Sequence, residues 1–181
     1  DVGAQASGKI TKLYAKLGQE IKKGEMIADI DSTTQINTLN TKKAALVSYQ
    51  AQLNAKKTAY DVALSSYNRL SKLYTQKATS LDSLNTAKST LDNAKAEMEA
   101  IEANIKQAEI EVNTAETNVG YTKITVPMDG TVISVSVSEG QTVNANQTTP
   151  TIVTIADLSK MKIKPEISEG DITKVKAGQE V

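Results

Sequence analysis

The residue types in this chain offer little for bond-making chemistry. There is no His and no Cys, so there is no imidazole or thiol nucleophile and no ordinary zinc or transition-metal site. Acids are plentiful, but many fall on the exposed faces of one helical stretch, and no motif supplies them with a base, a metal or a pocket. Solvated helix charge accounts for them, and no catalytic residue, metal or cofactor is assigned. Arg69 and Leu73 point instead to recognition. Arg69 is the single arginine among 21 basic side chains, and its planar guanidinium suits bidentate grip on carbonyls or carboxylates of a partner. Leu73, four residues on, shares its helix face, and Ser80 follows seven residues later. Each also has a plainer role: Arg69 as a solvated cation, Leu73 as turn packing, Ser80 as a helix N-cap with Asp82 favoured by the dipole. A second polar set, Asn144, Asn146 and Gln147, lies in a loop ending at Thr149, for which a solvated hairpin loop is the plain reading.

The first set must be positioned by residues 33–119, which read as two long helices folded into an antiparallel coiled-coil hairpin. Leu84, Leu91, Met98, Ile105, Val112 and Val119 recur every seven residues, and Ala87, Ala94, Ile101, Ala108 and Ala115 do so three positions later. A two-stripe seam held for five heptads is a coiled-coil signal. The first helix carries Leu39, Leu46, Leu53, Tyr60, Tyr67 and Tyr74. If the chain reverses near residue 79, each of these faces a stripe residue of the second helix, the facing numbers adding to 158 in every pair. Residues 33–76 hold six basic side chains and one acid, whereas 81–118 hold three lysines and eight acids, net +5 against −5. This register brings Lys42 and Lys43 near Glu111 and Glu116, and Lys56 and Lys57 near Glu99 and Glu102, favouring the antiparallel pair. At ~1.5 Å per residue the arms reach roughly 55–65 Å, far beyond any compact body.

Glycine-punctuated apolar segments flank the hairpin and read as short strands and tight turns. Gly8-Lys9-Ile10 followed by Leu13, Gly18-Gln19 and Ile21 matches Gly130-Thr131-Val132 followed by Val135, Gly140-Gln141 and Val143, at a constant offset of 122 residues. Neither copy is large enough to bury a core alone, so the two are expected to pack together as one small β-sandwich. The fold class is therefore α+β. Asp31 or Ser32 is placed to cap the first helix, Ser32-Thr33-Thr34-Gln35 has the form of a capping box, and Gly120 stands where a terminating glycine is expected. Pro127 and Pro150 fall at edges or turns.

Zero formal net charge with one arginine argues against a nucleic-acid partner. No apolar run approaches the ~18–20 residues of a membrane span. The chain opens in what reads as a strand and closes at Val181 where another should continue, so it reads as an excerpt.

A glycine-punctuated β unit split by a coiled-coil hairpin resembles the periplasmic adaptor (membrane fusion) proteins of bacterial tripartite efflux pumps. The stretches from Asp1 ("DVGAQASGKI"), Tyr121 ("YTKITVPMDGTV") and Glu139 ("EGQTV") are similar to the macrolide branch that works with an ABC transporter. The resemblance implies a split lipoyl-like (biotinyl/lipoyl) domain over 1–31 and 121–157, an α-hairpin over 32–120 with its tip near 77–80, and the start of a β-barrel domain over 158–181. It also gives the tip a role. Adaptors that dock on TolC-type outer-membrane channels carry Arg, Leu and Ser at the spacing of Arg69, Leu73 and Ser80. The family further implies a hexameric ring in the periplasm, an inner-membrane ABC transporter of the macrolide type as partner, an anchor upstream, and a loop in which Gln147, with Asn144 and Asn146, constricts the central channel. Proton-driven (RND) efflux and type I secretion use the same plan, and an unrelated structural coiled coil is the rival of a different class. A lipoyl or biotinyl carrier is set aside, because Asp29-Ile30-Asp31-Ser32 occupies the place of the modified lysine and Met161-Lys162 lies outside the repeat.

Overall fold

The structure, a computed structural model, describes residues 1–145 and 149–158. Four strands, β1 (Val2–Gly3), β2 (Gly8–Leu13), β3 (Glu20–Ile21) and β4 (Met26–Ile30), precede helices α1 (Thr33–Thr75) and α2 (Leu81–Gly120). Four more follow: β5 (Lys123–Thr125), β6 (Gly130–Val135), β7 (Thr142–Val143) and β8 (Thr151–Ala156). The expected strand beyond Leu158, including Met161-Lys162, lies outside the described residues.

The two halves interlock. One sheet has the order β1-β8-β6-β3 and the other β5-β4-β2-β7. Each sheet thus takes its two central strands from one half of the chain and both edge strands from the other. The 122-residue offset carries β2 onto β6 and β3 onto β7 residue for residue. Hydrogen bonds repeat with it. The Gly18 N–H donates to the Val132 carbonyl and the Gly140 N–H to the Ile10 carbonyl, both at 2.9 Å. Both glycines sit at left-handed φ, +79° and +85°, where a side chain would be strained. The core between the sheets is aliphatic, since the chain has no Phe or Trp. Ile10 and Val132, equivalent by the repeat, are both fully buried beside Ile27, Ile152 and Val153.

The hairpin leaves the sandwich where β4 pairs antiparallel with β5. In both helices the stripe residues are half-buried or buried, except Tyr74, which is 40% exposed where the seam ends. A second stripe on α1, Gln35, Lys42, Tyr49, Lys56, Ala63 and Leu70, also turns inward. In the same register Lys42, Tyr49 and Leu70 come level with Ala115, Ala108 and Ala87, so large side chains meet alanines, and these three alanines are buried. Lys42 pairs with Glu111 at 2.7 Å and Lys43 with Glu116 at 2.8 Å, as the register requires. Glu111 is held below the usual carboxylate range by hydrogen bonds from Lys42 and then Gln107. Lys56 departs from expectation. It reaches Glu97 at 2.8 Å, while Glu99 turns to Lys95 on its own helix. As an inward-stripe residue, Lys56 extends its stem along the seam and meets the acid that flanks it.

The helix ends also differ in detail. At the base, Ser32 holds the N-cap position but its side chain makes no capping bond. The Asp31 carboxylate instead accepts the Thr33 N–H at 3.0 Å and the Thr33 hydroxyl at 2.6 Å, which holds its carboxyl below the ordinary value. No capping box closes, and the Gln35 Oε1 is buried without a hydrogen-bond partner among the described residues. Gly120 is the last helical residue, not a left-handed terminator; Tyr121 caps α2 in right-handed conformation. The buried Thr122 hydroxyl then takes the Val119 carbonyl at 2.7 Å, supplying the stop that glycine was expected to provide.

Candidate functional site

The hairpin tip is built from two helix ends joined by residues 76–80. Gln76 is the C-cap of α1 and Lys77 follows at φ +58°, the one non-glycine residue with positive φ among the described residues. The Ala78 N–H donates to the Leu73 carbonyl and the Lys77 N–H to the Tyr74 carbonyl, both at 2.9 Å. This pair of bonds is the Schellman arrangement, which ties off carbonyls the helix leaves unmatched. Ser80 then opens α2 in extended conformation, with its Oγ accepting the Ser83 N–H at 3.1 Å. The Ser83 hydroxyl lies 2.9 Å from the same oxygen. Asp82 sits in the first turn, on the positive end of the α2 dipole.

Arg69 and Leu73 do share a face. With Asp61, Leu64, Ser65, Asn68 and Lys72 they line a shallow groove of ≈ 620 Å³ along α1, below the turn. Arg69, Lys72 and Lys77 are exposed, and none of them forms an ion pair among the described residues. Leu73 is half-buried and Tyr74 is the more exposed of the two, so the tip leucine is partly packed while tyrosine, expected in the seam, is turned partly outward. Ser80 has its oxygen engaged in capping α2. Lys77 carried no signal in the sequence, because the position after a C-cap is ordinarily searched for glycine.

In the polar loop, Asn144 is exposed and its Oδ1 lies 3.4 Å from the Ser7 hydroxyl, which accepts the Ala145 N–H at 2.8 Å. Asn146 and Gln147 lie outside the described residues. Among the described residues, no group of His, Cys, Asp and Glu is arranged to hold a metal, and no helix is long and apolar enough to cross a membrane.

The profile of a family described as RND MFP, barrel-sandwich hybrid domain, matches residues 1–155, which take in both interlocked β halves and the helical pair between them. The chain belongs to this membrane fusion protein family. Among relatives, the pyoverdine export membrane fusion protein PvdR of Pseudomonas putida is 48% identical over 178 residues, covering 98% of this chain and 45% of the relative. The macrolide export protein MacA of Escherichia coli O157:H7 is 36% identical over 179 residues, covering 99% and 48% respectively. The crystal structure of MacA from Actinobacillus actinomycetemcomitans superimposes with a TM-score of 0.88 at 82% identity, covering 99% of this chain and 55% of that one. The chain thus spans about half the length of the curated membrane fusion proteins it matches.

Proposed function

We propose that this chain is the lipoyl-like and hairpin portion of a periplasmic adaptor in a tripartite efflux pump, working by assembly and not by chemistry. The observation that supports this best is the reach of the hairpin. A small sandwich carries two paired helices of 43 and 40 residues, and the far end presents exposed cations that form no ion pair among the described residues, beside a half-buried leucine. In this reading several copies, six by family resemblance, pack side by side with hairpins forming a tube and sandwiches forming a ring. Arg69 and Leu73 dock on the periplasmic end of a TolC-like outer-membrane channel. Ser80 shapes the tip they dock with. Gln147, with Asn144 and Asn146, constricts the bore with uncharged amides. An inner-membrane ABC transporter of the MacB kind lies at the other end, with the adaptor anchored to that membrane upstream of this chain.

The macrolide assignment is supported by the 82% identity to the A. actinomycetemcomitans MacA, and a pyoverdine cargo is the second reading, supported by the 48% identity to PvdR. The reading is tested by capturing the full-length protein on a TolC-type channel, comparing wild type with Arg69→Ala and Leu73→Ala. Both variants are expected to keep their helix content by circular dichroism and lose the channel. A wild type that never binds, or variants that bind as well as it does, would refute the docking role. Cargo is decided separately, by whether loss of the protein raises sensitivity to macrolides or halts pyoverdine export.

A further inference from the structure

Lys77 stands at the apex of the hairpin in a conformation that favours glycine. A side chain at left-handed φ is disfavoured, and glycine is the usual occupant of the position that closes a Schellman turn. The backbone bonds of this turn need no side chain at 77: both donors are main-chain N–H groups, and both acceptors are carbonyls. A lysine thus stands where the turn itself would be better served without a side chain. Strain of this kind at an exposed position, where packing does not demand it, points to a role for the side chain.

The surroundings say what that role is. Arg69 and Lys72 are neighbours three apart on α1, a spacing at which like charges repel, and both line the groove that runs down from the tip. Lys77 adds a third cation above them; the nearby acids are Asp82 in the first turn of α2 and Asp61, the groove residue farthest along α1 from the tip. All three cations are exposed and lack an ion pair among the described residues. A cationic cap of this kind fits an acidic protein surface at the end of the tube.

We propose that Lys77 is a docking residue whose ammonium takes a side-chain carboxylate on the tip of the outer-membrane channel, beside the contacts of Arg69. This rests on the docking reading above. A structural and a docking role make opposite demands on the position, so one substitution separates them. Lys77→Gly relieves the left-handed strain and removes the charge together. The full-length protein would be bound to a TolC-type channel in detergent at low and high NaCl, using wild type, Lys77→Gly, Lys77→Arg and Arg69→Ala, with thermal melts of each.

Lys77→Gly is expected to melt higher than wild type, yet to bind about two- to fivefold more weakly per tip, with a shallower salt dependence. Lys77→Arg restores both binding and salt dependence. The inference is overturned if Lys77→Gly binds as wild type does, if its loss is independent of salt, or if it melts lower. Loss of binding in Arg69→Ala alone would leave the docking reading standing and remove this one. A wild type that ignores the channel would remove both. Capture of wild type but not Lys77→Gly by phosphatidylglycerol vesicles, with channel binding unchanged, would assign the cation to lipid and overturn the proposal.

Discussion

Gly8 and Gly130 are equivalent by the 122-residue repeat, yet alanine should cost different amounts at the two sites. At Gly130 an added Cβ would lie 2.7 Å from the Ile155 Cγ2, 2.8 Å from the Ala156 carbonyl oxygen and 3.2 Å from its carbon. Two of those atoms are backbone of β8, the central neighbour of β6, and Thr131 pairs with Ala156 at that level. Relief therefore requires moving a strand. Overpacking of this kind costs about 1–3 kcal/mol, and the lower chain entropy of alanine in the unfolded state returns about 0.5–1 kcal/mol. The expected net loss for Gly130→Ala is about 0–2.5 kcal/mol, toward the upper end because backbone must move. At Gly8 the closest atom is again a methyl, the Ile30 Cγ2 at 2.6 Å, but the nearest backbone atom, the Asp31 carbonyl oxygen, stands off at 3.4 Å. Ile30 is a buried, β-branched core residue whose Cγ2 gives way only by a turn about χ1, so relief has a cost but leaves the strand in place, and Gly8→Ala should cost about 0–2 kcal/mol, less than Gly130→Ala. Amide hydrogen exchange across β6 and β8, with urea denaturation followed by circular dichroism, measures both variants on one scale. Equal losses, or a larger loss at Gly8, would refute the idea that backbone proximity, not the motif, sets the penalty.

The other expectations concern the hairpin. Because hydrogen bonds from Thr33 lower the folded-state pKa of Asp31, its contribution is present above the unfolded value and lost as pH falls through the folded one. Amide protection over Thr33–Ile36 should therefore fall on acidification below about pH 4, and Asp31→Asn should flatten that part of the profile; an unchanged slope would count against the cap. Ser80→Ala should weaken the start of α2 by about 0.5–2 kcal/mol, whereas Ser80→Asp retains the cap, as exchange rates of the first-turn amides would report. Lys56→Leu should raise the thermal midpoint of the hairpin, since an inward leucine adds apolar burial while the half-exposed pair with Glu97 contributes little. A lower midpoint would show that the pair matters more than its exposure suggests.

The legible and illegible features divide by mechanism. The seam of α2, the facing stripe of α1 and the reversal between them were readable because a heptad period is a property of many residues at once. The interlocked sheets were partly readable: the repeat showed two equivalent halves, but a periodic pattern cannot say that each sheet borrows its edges from the other half. The second stripe of α1 was hidden because Gln35, Lys42 and Lys56 are polar by letter, although their stems pack inward. The helix ends were legible only in part, because their chemistry is carried by single residues. Of the two candidate caps for α1, Asp31 takes the bond and Ser32 does not, while Thr122 replaces the expected glycine stop and Lys77 takes a glycine conformation. At the tip, the placement of Arg69 and Leu73 on one face followed from spacing, and the Ser80 cap with Asp82 in the first turn followed from residue type, while the left-handed conformation of Lys77 required the turn geometry to be seen.

The place of insertion explains how so small a body carries so long a lever. β4 and β5 are antiparallel neighbours, with Asp29 opposite Lys123, so the chain leaves and re-enters the sandwich at adjacent points, as it would through an ordinary β-hairpin turn. An antiparallel helix pair meets that requirement at any length, because its two ends stay side by side. Extending the arms therefore costs the sandwich nothing, and the helices must be stabilised along their own seam. That seam is built accordingly, with buried alanines letting the helices approach and lysine–glutamate pairs flanking them. Because each sheet draws strands from both sides of the insertion, forming the base ahead of the hairpin would mean closing a long unstructured loop. The hairpin is thus both the reaching arm and the local structure that closes an otherwise long loop, which makes early hairpin formation the cheaper order of folding.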